Sequence, residues 1–183
     1  MTTLDSLETE VQRLLELGLR CAIGELNAQY SGAAVYAVAV FCASGYSSFA
    51  LAANTRDWLE DKLQQEGGAS QSARDYCELH VSQWKELNFA YRAFSELNER
   101  LDDLLDDMYD AALSDDQISE LFTRAVVRAI KAADLGGLVA TTCDGPLLLG
   151  LQFADPSERE WKAALDVSRD VNSDDWHTRL RSL

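Results

Sequence analysis

Residues 33–53 read AAVYAVAVFCASGYSSFALAA. This stretch constrains the fold more than any other. Ala33 to Ser44 is a β-branched and aromatic run, and Ser47 to Ala53 is a second. Gly45-Tyr46 lies between them as a two-residue hairpin turn, with Gly supplying the positive φ of a type II′ geometry. The first run is nearly all apolar rather than alternating, so the strand needs cover on both faces and belongs in the middle of a sheet. The run is too short to span a bilayer as a helix.

The rest of the chain supplies helices for that cover. Leu4 to Tyr30 carries apolar residues at three- and four-residue steps and ends at Ser31-Gly32. Gly18 and Gly24 offer close packing against a sheet. Thr55 is placed to cap a helix bearing Trp58, Leu59 and Leu63. Gly67-Gly68 and the residues 69–72 that follow read as a mobile loop. Tyr76 to Val81 alternates weakly and is expected as a third strand, and Ser82 opens a turn holding Trp84. A helix is expected over about 88–113, followed by a second over about 115–134. Ser114 and Gln117 form a capping box for the second, and Gly136-Gly137 ends it. These two helices are expected to pack as an antiparallel pair. Leu138 to Cys143 is expected as a strand, Asp144-Gly145 as a turn, and Pro146 to Phe153 as a strong strand. Asp155-Pro156-Ser157 opens a short helix with Trp161, and a polar tail begins near Asn172. This order predicts an α+β fold: an antiparallel sheet flanked by helices, in a single domain over 1–183.

The 183 residues are 47 % hydrophobic and 26 % charged, both globular values. A core of that size needs no metal or disulfide. Four widely spaced cysteines, Cys21, Cys42, Cys77 and Cys143, include no C-x-x-C pair, and reduced core or near-core thiols are expected. The N-terminal MTTLDSLETEVQRLL is acidic and amphipathic, unlike a signal peptide. A soluble, cytoplasmic protein is expected. The net charge of −15 repels phosphate backbones and anionic membranes, so no nucleic acid and no membrane are expected as partners. A basic protein surface would instead be attracted.

That charge is concentrated. LDDLLDDMYDAALSDD, Leu101 to Asp116, holds seven aspartates in sixteen residues and no cation. Its spacing fits neither an EF-hand loop, which needs a Gly at six and a Glu at twelve, nor the E-x-x-H pairs of a di-iron site. No metal and no cofactor are expected. Paired-carboxylate hydrolysis needs two acids facing each other across a pocket, whereas Asp102, Asp106 and Asp110 lie one turn apart on one helix, with Asp103 and Asp107 alongside. Nucleophilic catalysis lacks a G-x-S-x-G elbow, and the two histidines are His80 and His177. Cys77 and His80, three apart on a strand, would face opposite ways. No glycine pair belongs to a phosphate-binding pattern, and no catalytic residues are expected. A solvated helix face and a docking surface remain. Asp102, Asp103, Asp106, Asp107, Asp110, Asp115 and Asp116 are the candidate partner-binding residues. Trp176, in the polar NSDDWHTRL tail, is a further candidate as an exposed interface anchor, against packing of the tail on the body. Trp58 and Trp161 sit at helical apolar spacing and are expected in the core.

The order of elements also carries a resemblance. Tyr36 to Phe41, Ala53-Asn54-Thr55, Tyr76, and Ser82 with Trp84 resemble the recurring pieces of a bacterial family catalogued as domain of unknown function 4303 (DUF4303). The chain departs from that pattern at His80-Val81, where an Arg-Trp-like pair is expected, and at Gln83, where Pro or an acid is expected. The resemblance implies a fold and brings no catalytic residues. By looser analogy of class and charge, small acidic α+β chains look like immunity proteins of bacterial toxin systems, which bind and block a cognate toxin. The expected function is therefore a non-catalytic immunity-type protein whose aspartates meet a basic toxin. The alternatives are a cytoplasmic protein-interaction adaptor using the same surface, and an uncharacterised enzyme.

Overall fold

The computed structural model describes residues 4–65 and 70–183. At its centre β1 (Val35–Cys42) and β2 (Phe49–Thr55) form the expected antiparallel hairpin. Two further strands complete the sheet: β3 (Glu86–Phe89) pairs antiparallel with β2, and β4 (Leu148–Phe153) pairs with β1. The order is β3-β2-β1-β4, so both hairpin strands are interior. This is the position their lack of polar alternation demands. The architecture is α+β, but the sheet is mixed, because β4 runs parallel to β1. No hairpin joins those two strands; the chain between them passes through several helices, and such a crossover permits the parallel direction.

The turn also differs from the expectation. It is a longer loop, closed by the Ala43 N–H donating to the Ser48 carbonyl at 3.0 Å. Gly45 takes its positive φ of 69°, but Tyr46 does so as well, at 61°. Tyr46 tolerates this strained backbone because its ring is buried and stacked on Phe122, 4.5 Å between centroids.

Helices cover both faces of the sheet. The larger core takes Val38, Val40, Phe49, Leu51, Leu151 and Phe153 from the sheet. It is closed by α1 (Leu4–Gln29), α4 (Ser95–Asp110) and α5 (Asp115–Ala132). Helix α1 buries Leu7, Val11, Leu14, Leu15, Leu19, Ile23 and Leu26 on one stripe, and each such burial contributes about 1.5–3 kcal/mol. Gly18 serves Phe94 rather than the sheet: a Cβ there would sit 2.5 Å from that ring. Helices α4 and α5 each dock on α1 rather than pairing with one another as expected. The opposite face, with Tyr36, Ala37, Ala39, Ala52 and Leu148, meets α2 (Arg56–Gln65), α3 (Gln71–Leu79) and α8 (Asp174–Arg181). Helix α7 (Glu158–Val171) lies against β4 and α5.

Several local expectations change. Tyr76 to Leu79, expected as strand, lies in α3, whose N-terminus is capped by Ser70 accepting from the Ala73 N–H. The expected helix over 88–113 starts only at Ser95. Before it come β3 and a 3₁₀ turn (Tyr91–Phe94), set apart by positive φ at Asn88 and Ala90. Helix α5 stops at Ala132, where Asp134 turns left-handed, and the two glycines sit inside a short helix α6 (Leu135–Leu138). Residues 139–143 form no strand; they run beside the start of β1, with the Thr142 N–H on the Ala33 carbonyl and the Thr141 hydroxyl on the Val35 carbonyl. The Ser114–Gln117 capping box forms as read, and Thr55 accepts from the Trp58 N–H. None of the four cysteines is in a disulfide; Cys42 and Cys77 are buried, whereas Cys21 lies exposed on α1. The glycine-pair loop falls partly on 66–69, outside the described residues.

Two asparagines finish the strands where the ladder stops. The Asn172 amide accepts from the Leu149 N–H and donates to the Leu149 carbonyl on β4, at 2.8 and 2.7 Å. Asn98 does the same for Phe49 on β2, at 2.7 and 2.9 Å. Each amide stands in for a neighbouring strand and removes two unpaired backbone groups from an edge.

Candidate functional site

Helix α4 is amphipathic. Leu97, Leu101, Leu104 and Met108 point into the core. At 3.6 residues per turn, Asp102, Asp103, Asp106, Asp107 and Asp110 spread over an arc of about 140° on the other side. All five are exposed. Among the described residues none of the five makes an ion pair, although ten of the chain's arginines do. Glu99, exposed at the centre of the same arc, extends it by one turn and escaped the sequence reading.

The other two aspartates have a structural partner. Asp115 and Asp116 occupy the first turn of α5, where a carboxylate also suits the helix dipole. The Arg159 guanidinium of α7 meets both, at 3.1 and 2.8 Å. They remain 57 % and 77 % exposed, so they are open to a further contact. Trp176 is not an exposed anchor. It is buried among α8 and the second sheet face, its indole N–H reaching the Pro146 carbonyl at 3.4 Å and the Arg179 guanidinium stacking on its ring. The tail folds because Ser173 caps α8 and Leu180 packs inward. Trp58 and Trp161 are only half-buried, and the core tryptophans are Trp84 and Trp176.

A hollow adjoins α4, and a larger groove lies beyond it. A cleft of about 280 Å³ lies between the 44–46 loop, the end of α4 and the starts of α5 and α7. Its walls include Tyr46, Leu105, Tyr109, Asp115 and Ile118. Tyr109 is 55 % exposed and donates its hydroxyl to Asp115. Glu160 also faces this cleft, but its carboxylate already accepts from the Ser44 hydroxyl, the Gly45 N–H, and the Ser157 N–H and hydroxyl. Burial opposes its ionisation; those four donors outweigh it and hold the carboxyl below its ordinary range. On the far side of the Arg159 bridge a groove of about 850 Å³ separates α5 from α7. Its charges are largely spent internally: Arg124 on Glu8 and Glu120, Arg159 on Asp115 and Asp116, Arg169 on Asp166 and Asp170.

A second polar centre lies beneath α3 and α8. Glu78, 5 % exposed at its side chain, pairs with Arg56 and, at 2.5 Å, with Arg179. Arg179 also meets Asp75 at 2.5 Å. The Glu78 carbonyl takes the Tyr36 hydroxyl and the Trp84 indole N–H, and Arg56 stacks on the Tyr36 ring at 4.1 Å. Every member has a partner, so the centre reads as a clasp joining α2, α3 and α8. His80 lies tilted against the Tyr76 ring and bonds Ser82, and burial lowers its pKa. Among the described residues no group of three or more His, Cys, Asp or Glu is arranged to hold a metal ion, and no helix is long and apolar enough to cross a membrane.

No curated protein and no solved structure matches the chain. The family model DUF4303, described as a domain of unknown function, matches residues 15–165, from α1 into α7. The chain therefore belongs to the DUF4303 family.

Proposed function

We propose that this chain is a non-catalytic, immunity-type binding protein that attaches a basic partner, a cognate bacterial toxin, through the acidic face of α4. One observation carries the reading: five exposed aspartates share one arc and, among the described residues, none has a cation of its own, although ten of the chain's arginines are paired with acids elsewhere. Aligned like charges on a helix are mildly destabilising, and solubility of a small domain needs a net charge of only about 2–8. The arc thus works slightly against folding and exceeds what solubility needs. A basic surface would relieve the repulsion, and the field of the arc would speed its approach. The protein works in the cytoplasm, where exposed Cys21 stays a thiol.

The test is co-expression with the protein encoded directly upstream. If that protein arrests growth, the wild-type chain restores it, and a variant with Asn at positions 102, 103, 106, 107 and 110 restores it poorly at equal abundance. Equal rescue by both chains defeats the proposal. Binding without any rescue favours an adaptor that uses the same surface.

A further inference from the structure

We infer that the cleft beside α4 receives one arginine side chain of the basic partner, its guanidinium held against the Tyr109 ring and the Asp115 carboxylate. This rests on the docking reading above and names the contact that fixes the partner in place. Size is the first argument. About 280 Å³ falls short of the roughly 300–1,000 Å³ of drug-sized ligand sites and suits a single long side chain. Wall chemistry is the second. Half-buried Leu105, with the margins of buried Tyr46 and Ile118, offers apolar surface to an aliphatic stem, whereas Tyr109 offers a half-exposed ring to a cation. Asp115 already takes one guanidinium, that of Arg159, and with more than half its side chain in solvent it has acceptor sites left. Arg159 does not repel a second cation strongly, because Asp115 and Asp116 together exceed its charge.

Charge complementarity is the third argument. Asp106 and Asp110 flank Tyr109 on α4, one turn and one residue away, and neither pairs with a cation among the described residues. Arginine is favoured over lysine because its planar head stacks on an aromatic ring while its edge pairs with a carboxylate. The arc would steer the approach, and the cleft would then slow the departure.

The probe is Nα-acetyl-arginine amide, titrated into ¹⁵N-labelled full-length protein and followed by amide chemical shifts. An oligo-arginine peptide serves as a second probe. The arginine derivative is expected to move Gly45, Tyr46, Tyr109 and Ile118, and its citrulline analogue to leave them unmoved. Tyr109→Ala, at an exposed position, should weaken the response about two- to five-fold, the range of an exposed cation–π contact. Equal shifts from the citrulline analogue overturn the inference, as does an unchanged response in Tyr109→Ala. Shifts confined to residues 102–107, with oligo-arginine still bound, overturn the cleft and leave the docking reading standing. If neither probe moves any α4 amide, both are overturned.

Discussion

The clasp around Glu78 and the outer face of α4 use the same acidic chemistry to opposite ends. In the clasp, Glu78 and Asp75 meet Arg56 and Arg179, two acids against two arginines, with the central carboxylate out of water. On α4 the five aspartates are exposed, and none makes an ion pair among the described residues. A buried carboxylate must be paired, since taking it out of water unpaired costs several kcal/mol. An exposed one carries no such requirement, and screening leaves each repulsion small. Charge in the clasp therefore belongs to the fold, and charge on α4 is free for something outside it.

The largest effect should come from breaking the clasp. Glu78→Ala leaves Arg56 and Arg179 half-buried without their shared partner. Removing one member of a buried pair costs about 3–5 kcal/mol, and the partial exposure of both arginines, 34 % and 24 % at the side chain, brings the expectation down to about 2–4 kcal/mol. An unfolding free energy in urea lowered by less than about 0.5 kcal/mol would show that the clasp is ornamental to the fold.

Helix α4 contains the same contrast within itself. Asn98, on its inward side, completes the end of β2, so Asn98→Ala orphans two backbone groups on Phe49. A loss of about 1–3 kcal/mol is expected in thermal or urea unfolding. Asn172→Ala should act alike at Leu149.

Glu160 sits between the two extremes, at the cleft but bound to the fold. Its carboxyl is held below the unfolded value of 4.5 by four hydrogen bonds. The folded state therefore binds this proton less readily than the unfolded chain. The contribution is present above about pH 4.5 and fades as the pH falls through the lower folded value. Glu160→Gln should cost about 1–2 kcal/mol at neutral pH. It should also flatten the acid limb of stability against pH; an unchanged limb would remove Glu160 from the account.

These contrasts were only partly legible in the sequence. The hairpin core was, because fourteen of the fifteen residues in β1 and β2 are buried and their composition leaves no polar face. The Ser114 box and the outward aspartates were legible too, since capping and a 3.6-residue period are local rules. Long-range pairing was not. Nothing near Leu148 says that β4 will lie parallel to β1, and a weak alternation at Tyr76–Leu79 yields to a serine cap and a helix. β3 was hidden because it is four residues long, contains left-handed Asn88 and ends at left-handed Ala90. At the site, the cleft was invisible because its walls come from four separate elements. Tyr109 carried a signal that was overlooked: an aromatic among aspartates, one turn after Leu105. Trp176 misled because its neighbours are polar, while its burial depends on Pro146 and the sheet.

The smallest effect on folding, and the largest on binding, is expected from the arc itself. The variant with Asn at positions 102, 103, 106, 107 and 110 should keep its unfolding free energy within about 0.5 kcal/mol of wild type. The direct measurement of the central claim is the association rate of wild type and this variant with the upstream-encoded protein, by stopped flow across ionic strength. At about 0.01 M salt, where charges act over roughly 30 Å, the variant should associate at least about ten-fold more slowly, and the gap should narrow by 0.15 M, where the range is roughly 8 Å. Equal rates at low salt, with folding intact, would contradict the account and leave the aspartates as a solvated helix face.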